Sequence, residues 1–206
     1  MVGVTSVSGP RADPAPLFDL VTGFPPDDAV DVTVPMPLSL AVHMTMLEST
    51  GHSGDLALLR KIYIRQARVT ARLIQDRHLA DAPASTRLRI THIVEERVPG
   101  TNGLRPHVHA YVGATVLSPD DGGAVPVDLE RLAVVADTEV FPDHRDRLAE
   151  ATAEQCGLVW GETAWGAREI AGPRWLTERV AALRHDDLTC RGPYPRRQIV
   201  AGSAAG

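Results

Sequence analysis

The chain is 206 residues long, 44% hydrophobic and 23% charged, enough to bury one substantial core. No stretch approaches the roughly 18–20 apolar residues of a membrane span, and no basic region followed by an apolar one opens the chain, so no membrane is expected and a cytoplasmic protein is. A net charge of −5 argues against a globally basic surface for nucleic acid, and Cys156 and Cys190 fit neither a disulfide framework nor a zinc ribbon.

Residues 1–28, rich in Gly, Pro, Ser and Asp, read as an irregular arm. Residues 29–34 alternate apolar and polar side chains as a half-buried strand does, and Pro35 and Pro37 end it. Pro37 suits the first turn of a helix running through Leu40, Val42, Met44 and Leu47 to about Gly51. From Asp55, a plausible N-cap, to about His78, Leu58, Leu59, Ile62, Val69, Leu73 and Ile74 recur at helical spacing and predict a long amphipathic helix. Six basic residues (Arg60, Lys61, Arg65, Arg68, Arg72, Arg77) share that segment with only Asp55 and Asp76. A solvated face is the simpler account of this charge, and a DNA contact through Arg65, Arg68 and Arg72 is the alternative.

Two strands follow. Residues 86–96 place Leu88, Ile90, His92 and Val94 on one face, and residues 105–117 place His107, His109 and Tyr111 on one face. The turn at 99–103 predicts an antiparallel hairpin, and a second turn at 118–123 leads to a short strand at 124–127. Residues 129–140 and 143–156 show helical periodicity, with Pro142 either starting the second helix or kinking a single one, and Gly157 closing it. Residues 158–163 and 167–170 read as a small strand pair, residues 173–183 as a last helix, and residues 187–206 as a disordered tail. The folded domain is thus expected over 29–186.

H-V-H on a strand is the informative feature. Alternate side chains point the same way, so His107 and His109 can close on one ion while Val108 packs inward. Imidazole suits several divalent metals, and a third ligand is needed to hold one well. His92, on the partner strand, is the expected third ligand, although among Leu88, Ile90 and Val94 it can equally be a core histidine. His43, His52, His78, His144 and His185 lack partners at ligand spacing and read as surface or packing residues.

T-H at 91–92, a Gly-containing turn, and L-R-P-H-V-H-A-Y-V at 104–112 resemble the histidine signature of conjugative DNA relaxases of the TrwC/TraI type, endonucleases of the His-hydrophobe-His class. Upstream, D-V-T-V-P-M-P-L-S-L at 31–40 resembles that family's strand-to-helix segment, with Leu38 in place of a lysine; downstream, L-V-W-G at 158–161 and W-G-A-R-E-I-A-G-P at 165–173 resemble its closing segment. The resemblance covers roughly residues 29–184. It implies an α+β sandwich with a mainly antiparallel central sheet and helices packed on it. It further implies a divalent ion (Mg, Mn or Zn) on the three histidines, Asp31 orienting one of them, and single-stranded or origin DNA as partner. In such enzymes the metal polarises the scissile phosphate and a tyrosine attacks it.

That tyrosine lies near the N-terminus in the family, whereas here none precedes Tyr63, as if the N-terminal catalytic part were missing. Tyr63 reads as a packing residue. Tyr111, beside the histidines, and Tyr194, among basic neighbours, are the remaining nucleophile candidates, and a partner chain completing the site is a further option. Trp165 reads as a core or wall residue, with base stacking the alternative. Three activities follow from these residues: metal-dependent DNA nicking and strand transfer, metal-site binding of single-stranded DNA or a protein without cleavage, or hydrolysis of another substrate by metal-activated water.

Overall fold

A computed structural model describes residues 11–17, 25–97, 104–117, 124–162, 168–183 and 197–200. The strands are β1 (Val30–Pro35), β2 (Ile90–Glu95), β3 (His107–Val112), β4 (Thr115–Leu117), β5 (Ala124–Pro126), β6 (Trp160–Glu162), β7 (Arg168–Ile170) and β8 (Arg197–Val200). The helices are α1 (Leu38–Ser49), α2 (Ser53–His78), α3 (Leu129–Val135), α4 (Phe141–Cys156) and α5 (Arg174–Leu183). The central sheet runs β2-β3-β1-β8, antiparallel at its first two junctions and parallel at β1–β8. An α+β fold with a mainly antiparallel sheet and helices packed on it is therefore what the chain forms. Among the described residues no helix is long and apolar enough to cross a membrane.

Strand alternation divides the sheet into two chemically different faces. Val30, Val32 and Val34 of β1, Ile90 and Val94 of β2 and Val108, Ala110 and Val112 of β3 turn toward the helices and join one core with Leu40 and Met44 of α1, Leu59, Ile62 and Ile74 of α2, and Leu148 of α4. The other face carries Asp31, Thr33, His107, His109 and Tyr111, all buried polar or aromatic residues.

Several local features follow from sequence. Asp128 caps α3 by accepting hydrogen bonds from the amides of Glu130 and Arg131 at 3.1 and 3.0 Å. α3 and α4 form one helical run joined through a π-helical turn at Ala136–Val140. Pro142 has no amide to donate and its ring crowds the carbonyl one turn back, and the wider turn accommodates both. Gly157 ends α4 in the left-handed region at φ 67°, as its position predicts. α2 begins at Ser53, so Asp55 lies within its first turn instead of capping it.

Three expectations change. The predicted strand at 105–117 is two strands, because the chain leaves the sheet at Gly113, where a Cβ would lie 2.7 Å from Leu17 Cδ1. Residues 197–200, expected within a disordered tail, form β8 along β1. Residues 11–17 are anchored instead of loose. The Arg11 guanidinium donates to the carbonyls of Leu79, Ala82, Pro83 and Thr86 at 2.6–3.0 Å, Ala15 bridges to β2 through the Leu88 carbonyl and Ile90 amide, and Leu17 is fully buried. Both expected turns, together with Trp165, His185, Cys190 and Tyr194, lie outside the described residues.

Candidate metal centre

Register decides which side chains meet. In the β2–β3 ladder Glu95 stands opposite His107, Ile93 opposite His109 and His92 opposite Ala110. Directly opposed residues share a face, so Glu95 joins the histidine pair. His92 turns to the helical face with Ala110, and its expected role as third ligand is corrected. A register differing by one residue would have exchanged His92 and Glu95.

The three side chains that converge are Glu95, His107 and His109, whose potential ligand atoms lie within 4.8 Å of one another. His107 Nε2 is 3.3 Å and His109 Nε2 3.8 Å from Glu95 Oε2, with the two imidazole rings 4.8 Å apart and nearly perpendicular. A cation about 2.1 Å from each ligand in tetrahedral geometry requires ligand separations of about 3.4 Å. The Glu95–His107 separation of 3.3 Å already matches this spacing, and the Glu95–His109 separation of 3.8 Å is near it.

Each histidine is held with its Nε2 toward that point. His107 Nδ1 donates to the Arg105 carbonyl at 2.8 Å, and His109 Nδ1 donates to Asp31 at 2.9 and 3.1 Å. Protons on both Nδ1 atoms leave both Nε2 lone pairs for an ion. His109 Nε2 is buried without a hydrogen-bond partner among the described residues, a costly arrangement unless something else satisfies it. The Thr33 hydroxyl, 3.3 Å from both Asp31 Oδ1 and His109 Nδ1, completes the support. Burial lowers the His107 pKa, partly opposed by the Arg105 carbonyl, and so favours the neutral ligating form.

Of the two expected nucleophiles, Tyr194 lies outside the described residues, and Tyr111 shares the histidine face but is closed to solvent. Tyr111 is fully buried in a small cluster with Leu17, Ala29 and Ile93, its ring stacked 6.1 Å from His109, so it cannot meet a phosphate as placed. Tyr63 is buried too, its hydroxyl donating to the Val34 carbonyl at 3.3 Å, as a packing residue does. Arg65, Arg68 and Arg72 line the exposed side of α2, on the helical side of the sheet and away from the centre. His92 lines a cleft there with Arg68 and Arg72, and its pKa is lowered first by burial and then by Arg68.

Two of the quoted motifs meet elsewhere. Glu169 Oε2 accepts from the Ser39 amide at 2.9 Å and from its hydroxyl at 2.5 Å, while the Ile170 amide donates to Ser39 Oγ at 2.7 Å. Pro37, the residue before α1, offers no side-chain cap, so Glu169 supplies one from β7. Ser39 and Glu169 thus clamp the closing strand pair to the start of α1.

A mainly antiparallel sheet with helices on one face and a His/Glu cluster on the other makes the chain an α+β protein. The particular likeness is to a solved conjugative relaxase, TrwC, in complex with mutant oriT DNA, at TM-score 0.53 and 15% identity over 77% of this chain. The chain spans 60% of the length of that protein. No protein-family model matches the sequence, and no curated protein matches it.

Proposed function

We propose that this chain holds a divalent cation on Glu95, His107 and His109 and uses it to bind and polarise a phosphodiester of single-stranded DNA, the first requirement of a DNA-nicking domain. The observation that carries this reading is the buried, unpartnered His109 Nε2, aimed with His107 Nε2 at the Glu95 carboxylate. Two neutral imidazoles and one carboxylate suit Mn²⁺ or Zn²⁺, and Mg²⁺ less well, because magnesium prefers oxygen ligands. A bound cation would supply Lewis-acid polarisation of a phosphoryl oxygen. Asp31 keeps the His109 proton on Nδ1, Arg105 does the same for His107, and Glu95, 26% exposed at its side chain, faces the approach from solvent. The likeness in fold to a relaxase bound to oriT DNA supports DNA as the ligand.

Burial of Tyr63 and Tyr111, the two tyrosines among the described residues, favours a second reading, in which the centre binds DNA without attack by either. Mn²⁺ calorimetry on the parent and His107→Ala tests the centre, with at least an order-of-magnitude loss of affinity expected on removal of one of three ligands. Incubation with a labelled single strand carrying an origin sequence then separates the two readings. A nicked product, with or without a covalent protein adduct, supports nicking; binding without cleavage supports the second reading; release of phosphate from a small ester without DNA affinity contradicts both.

A further inference from the structure

The cations of α2 fall into two groups. Arg60 pairs with Glu48 and Glu96, Arg72 with Asp13, and Arg77 with Glu139 and Asp143. Lys61, Arg65 and Arg68 are exposed, and no carboxylate among the described residues pairs with them. Positions 61, 65, 68 and 72 are spaced by four, three and four residues, which places all four cations on one face of α2. They form a row roughly 16 Å long with steps of about 5–6 Å. In a chain of net charge −5, a row with three of its four cations left unneutralised on a single helix is a local departure from the whole.

The row also leads somewhere. Arg68 and Arg72 enter a cleft of about 620 Å³, where His92 of β2 and Arg147 of α4 join them. Asp13, which pairs with Arg72, and Asp76 are the acidic residues of this cleft. Among the described residues β2 is the outer strand of the central sheet, flanked only next to its start, where Ala15 bridges to Arg89. His92 and Glu95 lie three residues apart on this strand, roughly 10 Å, on opposite faces. β2 thus carries a cleft residue on one face and a residue of the candidate metal centre on the other.

We propose that the row Lys61, Arg65, Arg68 and Arg72, with the His92 cleft at its end, is a sequence-independent track for the phosphates of single-stranded DNA passing around the β2 edge. The choice of DNA as the polyanion rests on the proposed function; the binding itself needs no metal. Cations at regular steps on a rigid helix suit a repeating phosphate backbone better than the irregular carboxylates of a folded acidic protein.

Fluorescence anisotropy with a fluorescein-labelled oligothymidylate, in EDTA and across a salt series, tests the track in the full chain. The triple variant Lys61→Glu/Arg65→Glu/Arg68→Glu is expected to bind on the order of tenfold or more weakly, and the slope of log affinity against log salt to fall by about 2. The side chains are exposed, so circular dichroism should be unchanged, and the corresponding triple alanine variant should show the same loss of slope. Mn²⁺ calorimetry without DNA should, by contrast, give parental affinity in both triple variants, because none of their substitutions touches Glu95, His107 or His109, which separates this inference from the centre. Parental oligothymidylate affinity and slope in both triple variants would overturn it. So would loss of binding to a polyglutamate peptide with oligothymidylate binding intact, since the row would then serve an acidic protein.

Discussion

Replacing Asp31 with asparagine changes the proposed centre without touching any of its three ligands. The carboxylate is buried on β1 and accepts hydrogen bonds from His109 Nδ1 at 2.9 and 3.1 Å through its two oxygens. Asparagine keeps the shape and one acceptor but removes the charge that makes Nε2 more basic. A hydrogen bond to a charged group contributes about 1.5–3 kcal/mol, and a neutral acceptor retains part of that. Removing a carboxylate that supports a ligating imidazole typically lowers metal affinity about 10–100-fold, or about 1.4–2.7 kcal/mol, in line with that range. The loss moves to the upper end if the amide turns its NH₂ toward Nδ1, because the ring proton then moves to Nε2 and occupies the ligating lone pair. Calorimetric titration with Mn²⁺ gives the affinity, and long-range ¹H–¹⁵N spectra of the imidazoles report which nitrogen carries the proton. Affinity within twofold of the parent, in a variant with unchanged circular dichroism, would refute the role assigned to Asp31.

Glu95→Ala should weaken Mn²⁺ binding at least tenfold and His92→Ala should leave it within about twofold, the reverse of the order expected from sequence; calorimetry on the two variants decides between the pairings. Ser39→Ala removes the hydroxyl that both donates to Glu169 and accepts from the Ile170 amide. A cost of about 1–2 kcal/mol is expected, seen as a fall in Tm of about 2–8 °C with metal affinity unchanged. His144 donates from Nδ1 to Thr70 Oγ1 at 2.6 Å, leaves Nε2 buried without a partner among the described residues, and has its pKa lowered to about 4 by burial. Its neutral form is favoured in the fold while the unfolded chain takes up a proton near pH 6.5, so this contribution to stability is complete above about 6.5 and falls as pH drops toward 4. The loss attributable to His144 is about 3 kcal/mol. His144→Leu should flatten that part of the profile in urea denaturation at pH 7 and 4.5, since Thr70 keeps its bond to the Gln66 carbonyl; an unchanged slope would contradict the assignment.

Much of the centre was legible because strand alternation is local. His107 and His109 had to share a face whatever the fold, and Asp31 alternates with Val30 and Val32 so that its carboxylate meets the histidine side. Gly157 and Pro142 acted locally in the same way. The third member of the cluster was not legible, because whether His92 or Glu95 shares that face depends on the parity of the β2–β3 register. The length and path of the connection set that parity, and spacing alone does not. Glu95 gave only a weak signal, as a carboxylate at the end of a strand. β8 and the Ser39–Glu169 clamp were missed for a related reason. Both join residues more than a hundred positions apart, and nothing periodic in either segment announces its partner.

The central claim is that Glu95, His107 and His109 bind one ion. Anomalous diffraction from crystals soaked in Mn²⁺ tests it most directly. A single peak about 2.0–2.3 Å from both Nε2 atoms and the Glu95 carboxylate is predicted. No peak at saturating Mn²⁺, or one beside His92 on the helical face, would contradict it.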